Sequence, residues 1–118
     1  MDNIYNGIRE EINKIGRKNR SLAEQYGQKF YLGGIVISLG CQAKGLTEWN
    51  IHLADQFSRY INCDWGNIPE EDMIKNNISV EHGYGIILAS YTVDEEEIWI
   101  STQLGKETYT KIMLPCEW

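Results

Sequence analysis

The feature that most constrains the fold is the stretch 84–115, close to the end of the chain. Three runs rich in β-branched and aromatic residues lie there, at 84–91, 97–102 and 108–114, and two polar turns separate them. Runs of this length and composition, joined by short turns, predict an antiparallel β-meander. The residues before it are then expected to extend and cover that sheet.

Two further elements are predicted upstream of the meander. Residues 30–38 have the composition of a strand, and the pair Gly33-Gly34 within it indicates a bulge or a close backbone approach. After a loop at 40–45, residues 47–61 have apolar side chains at helical spacing, with Thr47 as the N-cap. The predicted class is therefore α+β: a small, mainly antiparallel four-stranded sheet packed by one long helix. A short acidic helix is also predicted at 68–77, with Asn67 as its cap.

The N-terminal residues 1–28 are predicted to be a helical extension, with the α+β domain at 29–118. Isoleucines recur at helical spacing from Ile4 to Ile15, which predicts a helix over residues 3–15. Gly16 and the polar residues after it are expected to interrupt that helix, and a second short one is predicted from Ser21 to Gly27. The isoleucine stripe can pack on the domain or on a second copy, and the sequence leaves both options open.

Composition limits the classes of partner. The net charge is −6, and residues 30–118 carry thirteen Asp and Glu against five Lys and Arg. Direct binding to nucleic acid through this body is not expected, because neutralising phosphates requires clustered cations. A negatively charged surface suits a basic protein partner, or it serves solubility alone.

Targeting and metal-binding signals are not evident in the sequence. Without a basic, apolar leader or a membrane-length apolar run, a cytoplasmic location in the host cell and no membrane association are expected. The three cysteines, Cys41, Cys63 and Cys116, form no C-x-x-C pair, so neither a disulfide framework nor a metal site is predicted. No cofactor-binding fingerprint is present either.

From about residue 29 onward, the chain resembles a small family of proteins from Gram-positive bacteria, their phages, plasmids and conjugative elements. The likeness is carried by an ordered set of short motifs: Gly34-Ile-Val-Ile, Asp64-Trp-Gly, Ile87-Leu-Ala-Ser-Tyr, Ile98-Trp-Ile-Ser-Thr and Thr110-Lys-Ile-Met-Leu-Pro. The resemblance implies a mobile-element setting, in which small acidic proteins often inhibit host defence. It implies no catalytic residue.

Asp64-Trp65-Gly66 is the most pointed candidate for a contact site. A carboxylate, an indole and a glycine on a loop can fill a partner's pocket or stack on a base. The alternative is structural: Trp65 closes one end of the sheet and Gly66 takes a positive φ, which is the commoner role of a single large aromatic on such a loop.

The acidic residues form two groups in the sequence. Glu70, Glu71 and Asp72 begin a predicted helix, where the helix dipole favours carboxylates. Asp94, Glu95 and Glu96 lie at a predicted hairpin turn, where a solvated role is typical. General acid–base catalysis needs carboxyl groups in unlike environments, and nothing in the local sequence indicates that, so no catalytic residue is predicted.

Trp99 belongs to a further candidate surface. It alternates with apolar residues, so that Trp99, Ser101 and Gln103 share one face of the middle strand. With Tyr109, Lys111 and Met113 on the next strand, this face is either an amphipathic binding surface or the platform beneath the N-terminal helix.

The leading hypothesis is a non-enzymatic, anti-CRISPR-like protein that inhibits a host defence complex by binding a basic protein or ribonucleoprotein. A homodimer through the N-terminal helix is the further partner considered. The alternative is a nucleotide-sequestering protein that uses Trp65 and Trp99. The candidate partner-binding residues are Asp64, Trp65, Glu70, Glu71, Asp72, Asp94, Glu95, Glu96 and Trp99.

Overall fold

The computed structural model describes residues 2–118, with side chains from residue 4 onward. Helices and strands alternate irregularly along the chain, and a single 3₁₀ turn ends it. In order they are α1 (Asp2–Gln25), β1 (Gly34–Ile37), α2 (Leu39–Ala43), α3 (Ile51–Ile61), α4 (Glu70–His82), β2 (Gly85–Val93), β3 (Glu96–Leu104), β4 (Tyr109–Met113) and the 3₁₀ turn Pro115–Glu117.

Within residues 2–118, four strands form one sheet in the order β1-β4-β3-β2. The meander β2-β3-β4 is antiparallel, as predicted, whereas β1 pairs with β4 in parallel. The sheet is therefore mixed, and the predicted α+β class is confirmed. β1 is also shorter than predicted, because the chain at Gly33 takes a φ of 64° and passes so close to Thr108 that a side chain would not fit.

The hydrophobic core lies on one face of the sheet. Alternate residues of β2 and β3, such as Ile87, Tyr91, Ile98 and Ile100, are fully buried there, as the two-residue period of a half-covered strand requires. The prediction of one long covering helix is too simple, since α3 and α4 both pack against β2 on this side. We call the opposite side of the sheet the open face.

A chain of buried hydroxyl groups joins α3 to the sheet. The Tyr60 hydroxyl lies 2.6 Å from Oγ1 of Thr102, which lies 2.7 Å from Oγ1 of Thr110. Thr110 in turn donates to the carbonyl of Leu32 at 2.7 Å. Because Thr110 uses its proton on Leu32, Thr102 must donate to Thr110 and Tyr60 to Thr102. Burial raises the pKa of Tyr60, so it stays protonated and keeps its place as a donor.

The predicted interruption of the N-terminal helix at residues 16–20 is wrong, because α1 is continuous over 24 residues. Gly16 lies at its crossing with the end of α4, where a Cβ would stand 2.3 Å from the His82 carbonyl oxygen. The amide of Asn19, next along this side of the helix, donates to the carbonyls of Gly83 and Gly105 at 2.9 and 3.1 Å. Gly16 is thus a packing residue, and the second half of α1 is fastened to the body.

Three other predicted boundaries need correction. The loop expected at 40–45 contains α2, whose N-cap is Ser38. The helix expected at 47–61 begins at Ile51, because Asn50 rather than Thr47 accepts from its first N–H groups, which leaves Trp49 outside the helix and 87% exposed. The acidic helix expected at 68–77 is α4, which extends to His82 and has no side-chain cap at its start.

Candidate functional site

Asp64 lies on the loop between α3 and α4, where it forms an ion pair with the preceding helix. Its carboxylate accepts two hydrogen bonds from the Arg59 guanidinium, at 2.8 and 3.2 Å. Hydrogen bonding to Arg59 lowers the pKa of Asp64 below its ordinary value. In the sequence, Asp55 precedes Arg59 by four residues, at the spacing of a helical ion pair. The loop instead turns back through positive φ at Cys63 and Gly66 and brings Asp64 to Arg59. The pair stays exposed to solvent.

Trp65, the next residue, lies in the core. It is 3% exposed, and its ring packs against those of Phe30 and Tyr60 at centroid distances of 5.8 and 5.6 Å. Its indole N–H donates to Oδ1 of Asn77 at 2.9 Å. A surface contact role for Trp65 does not fit this burial. The geometry agrees with the structural alternative, in which the ring closes the core and Gly66 has a positive φ of 72°.

Glu70, Glu71 and Asp72 occupy the first turn of α4. Glu70 and Glu71 are exposed, and neither has a Lys, Arg or His nitrogen within 4.0 Å among the described side chains, whereas Asp72 lies 3.9 Å from Lys75. Carboxylates at a helix N-terminus stabilise it through the helix dipole. These acids therefore have a local structural role and still leave negative charge on the surface.

The second acidic group turns the hairpin between β2 and β3. Asp94 and Glu95 both have positive φ, 51° and 68°, as a two-residue turn of the hairpin type requires. Asp94 accepts from the Asn50 amide at 3.0 Å, and Glu96 lies 3.1 Å from Lys44. The turn is thus tied to the residues around the start of α3, and its side chains are partly occupied by the protein itself.

Trp99 lies on the open face, on the other side of the sheet from Trp65. Its N–H donates to Glu97 at 3.0 Å, and its ring meets Trp118 edge to face at a centroid distance of 6.2 Å. The two indoles therefore cannot form two sides of one binding site. The predicted contact residues do not form one cluster either, since Trp99 lies on the open face, Trp65 lies in the core, and the two acidic groups lie at the start of α4 and at the hairpin turn.

The open face is not the platform of α1. That helix packs against α4 and the turn at Gly105, while the C-terminal residues 114–118 lie over part of the face. Glu117 holds them there: its carboxylate accepts from the Ser38 hydroxyl at 2.6 Å and from the N–H groups of Leu114 and Gly40 at 2.8 and 3.2 Å. Hydrogen bonding to Ser38 lowers the pKa of Glu117.

A cavity of about 180 Å³ opens on this face beside the C-terminal residues. Its walls include Ser101, Gln103, Tyr109 and Lys111, which the strand period places together, and also Trp118. No local pattern in the sequence connects Trp118 with this surface, because the position of Trp118 depends on the hydrogen bond of Glu117 to Ser38, 79 residues away. The apolar, aromatic and cationic groups here can bind a ligand, whereas the acids of the other face can bind only cations or donors.

Among the described residues, no group of three or more His, Cys, Asp and Glu side chains could hold a metal ion. No helix in this part of the chain is long and apolar enough to cross a membrane. No family model, no curated protein and no solved structure matches the chain.

Proposed function

We propose that this chain is a non-enzymatic binding protein of a phage or other mobile element. In this proposal it inhibits a host defence complex, in the manner of an anti-CRISPR protein, by contact with a basic protein or ribonucleoprotein in the host cytoplasm. The setting comes from the resemblance described above. The kind of partner comes from the charges.

The observation that carries the proposal is that most cations of the body already lie close to carboxylates of the chain itself. Of the five Lys and Arg side chains in residues 30–118, four lie within 4.0 Å of a carboxylate of the chain. The same residues carry thirteen carboxylates, and one of the four cations, Lys106, pairs with Glu11 of α1 rather than with any of these, so most of the negative charge is not neutralised internally. Surface charge of one sign speeds and directs association with a partner of the opposite sign.

The first turn of α4 is the place where this charge is most available. Glu70 and Glu71 are exposed neighbours without a cation within 4.0 Å among the described residues, while the acids at the hairpin are partly engaged. We therefore assign Glu70 and Glu71 the principal contacts, with Asp72, Glu95 and Asp64 contributing. A sandwich of a nucleotide between Trp65 and Trp99 does not fit their placement on opposite faces.

The test uses a Gram-positive host with an active CRISPR interference system. Expression of the chain is expected to restore transformation by a targeted plasmid towards the level of an untargeted one. Glu70→Gln/Glu71→Gln should lower that restoration at least tenfold. Glu81→Gln/Glu107→Gln removes the same charge from exposed positions outside that turn and should keep it.

Circular dichroism checks that both double variants are folded, since loss of two N-terminal acids costs about 0.3–1 kcal/mol each. No restoration by the wild-type chain in hosts with CRISPR or restriction systems would contradict the defence proposal. Equal effects of the two double variants would contradict the assignment to the first turn of α4.

We further propose that the N-terminal half of α1 joins two copies of the chain. Ile4, Tyr5 and Ile8 are exposed there, beyond the half that packs on the body. Apolar side chains at this spacing form one stripe of a helix, and burying such a stripe against its copy gives the closed two-fold contact that most homodimers use.

A further inference from the structure

The cavity on the open face has the size of a single chemical group. Its volume of about 180 Å³ is below the roughly 300–1,000 Å³ of pockets that enclose drug-sized ligands. A volume of this size suits an occupant with one planar ring whose substituents reach into solvent. A dinucleotide or a larger cofactor does not fit inside.

Ser101 gives independent support for a ligand here. The residue is 3% exposed, it lines the cavity, and its hydroxyl has no hydrogen-bond partner. Buried hydroxyl groups are nearly always paired, and an unpaired one is destabilising. Thr102, the next residue, shows the usual arrangement, because its hydroxyl is paired on both sides. A group that completes the hydrogen bonding of Ser101 is therefore expected from outside the chain.

The other walls indicate the chemistry of that group. Among the described residues, Lys111 is the cation of the body with no carboxylate within 4.0 Å. Glu117 also lines the cavity, but its oxygens already accept three hydrogen bonds from the chain. Tyr109 and Trp118, residues that are 40% and 57% exposed, supply two aromatic rings. Lysine and serine favour oxygen acceptors with negative charge, and the rings favour a planar partner.

We propose that this cavity binds one small planar molecule that carries a carboxylate or phosphate group. The ring lies against Tyr109 and Trp118, and the anionic oxygens accept from Lys111 and from the Ser101 hydroxyl. That hydroxyl is shielded from solvent, so we expect Trp118, which is exposed and contacts Trp99, to shift when the ligand enters. The net charge of −6 opposes any anion at long range, but repulsion beyond about 8 Å is largely screened at physiological ionic strength.

This site is separate from the protein-binding proposal, since α4 packs beside the edge strand β2, where Asn76 bonds the backbone of Leu88, and no residue of α4 lines the cavity. Two sources can supply the shared chemistry, a mononucleotide or an aromatic carboxylate. The test therefore titrates the full chain with AMP, CMP, benzoate and inorganic phosphate, and follows the four tryptophan indole N–H signals by NMR. Trp118→Phe assigns the Trp118 signal.

Saturable shifts of the Trp118 and Trp99 signals are expected with AMP or CMP, or with benzoate, and the arm that saturates identifies the source. Lys111→Met removes a hydrogen bond from a charged donor and should weaken that binding about tenfold. Ser101→Ala removes a hydrogen bond from a neutral donor and should weaken it about fivefold. Lys75→Met, which removes an exposed lysine from α4, should leave it unchanged.

Three results would overturn the proposal. The first is the absence of saturation with all planar anions up to about 10 mM, the range in which one ion pair and one stacked ring are detectable. The second is equal binding of inorganic phosphate, which would show that no ring is recognised. The third is equal weakening by Lys111→Met and Lys75→Met. Ser101→Ala keeps the test open even if another variant misfolds, because the hydroxyl it removes has no partner in the fold.

Discussion

Removing the hydroxyl groups of two adjacent residues of β3 should have different effects on the free energy of unfolding. Thr102 and Ser101 are both buried, on opposite faces of the same strand. Thr102→Val removes the acceptor of the Tyr60 proton and the donor to Thr110. Ser101→Ala removes a hydroxyl that has no hydrogen-bond partner. Comparing these two variants therefore separates the contribution of hydrogen bonding to stability from that of burial within one strand.

The expected changes in the free energy of unfolding follow from the hydrogen bonds that each hydroxyl group makes. A net hydrogen bond contributes about 1 kcal/mol, and a buried donor left without a partner costs about 1–3 kcal/mol. Thr102→Val interrupts two bonds and orphans the Tyr60 proton, so we expect it to lower the free energy of unfolding by about 2–3 kcal/mol. Tyr60→Phe leaves behind only an unfilled acceptor on Thr102, and about 1 kcal/mol is expected. Ser101→Ala should change stability by less than about 0.5 kcal/mol or raise it slightly.

The assay is equilibrium unfolding in urea, followed by tryptophan fluorescence and circular dichroism, with equal m-values required for a comparison of midpoints. A double-mutant cycle of Tyr60→Phe with Thr102→Val should give a coupling energy of about 1 kcal/mol. The reasoning fails if Ser101→Ala destabilises by more than about 1 kcal/mol, which would mean that its hydroxyl is paired within the fold. It also fails if Thr102→Val is neutral.

Three further predictions concern other parts of the chain. The pKa of Asp64 is depressed in the folded state by Arg59, so its stabilisation is present above the unfolded pKa and is lost as the pH falls through the folded one. Because the pair is exposed, Asp64→Asn should remove no more than about 1 kcal/mol of pH-dependent stability, measured by urea unfolding between about pH 2 and 7; an unchanged pH profile would contradict this. Gly7→Ala should stabilise α1 by about 1 kcal/mol, because a Cβ there meets nothing within 4 Å. Gly16→Ala should destabilise the chain, because its Cβ would stand 2.3 Å from a backbone carbonyl oxygen of α4. Equal effects of the two variants on the thermal midpoint would refute the packing role of Gly16. Light scattering should find a dimer that Ile8→Asp converts to a monomer, and a monomeric wild-type chain would exclude the α1 contact.

The sequence was sufficient for the meander because its determinants are local. A period of two residues, with polar turns between the runs, places Ile98 and Ile100 inside and Trp99 and Ser101 outside without any knowledge of the rest of the chain. The positive φ of Asp94 and Glu95 likewise belongs to a turn whose position the sequence predicted. Their contacts with the start of α3 did not follow, since these join distant segments.

The errors occurred where a distant contact decides the local structure. Glycine inside a helix costs about 1 kcal/mol relative to alanine, so Gly16 was interpreted as a break. The helix continues because close packing on the end of α4 requires that glycine. Trp65 is a different case: the sequence left a contact role and a structural role open, and the packing of its ring against Phe30 and Tyr60 agrees with the structural one.

The cavity on the open face depends both on local strand periodicity and on contacts between distant segments. Strand periodicity alone brings Ser101, Tyr109 and Lys111 to one surface, but the C-terminal residues make that surface concave, through the hydrogen bonds of Glu117 with Ser38 and Gly40. Those bonds also engage the oxygens of Glu117, the carboxylate that lines the cavity together with Lys111, which leaves the lysine available to an external anion. The acids of α4 lie in the first turn of a helix that packs beside the edge strand β2, away from this cavity. Substitutions at sites without shared partners act nearly additively, so the two proposed surfaces can be altered and judged independently.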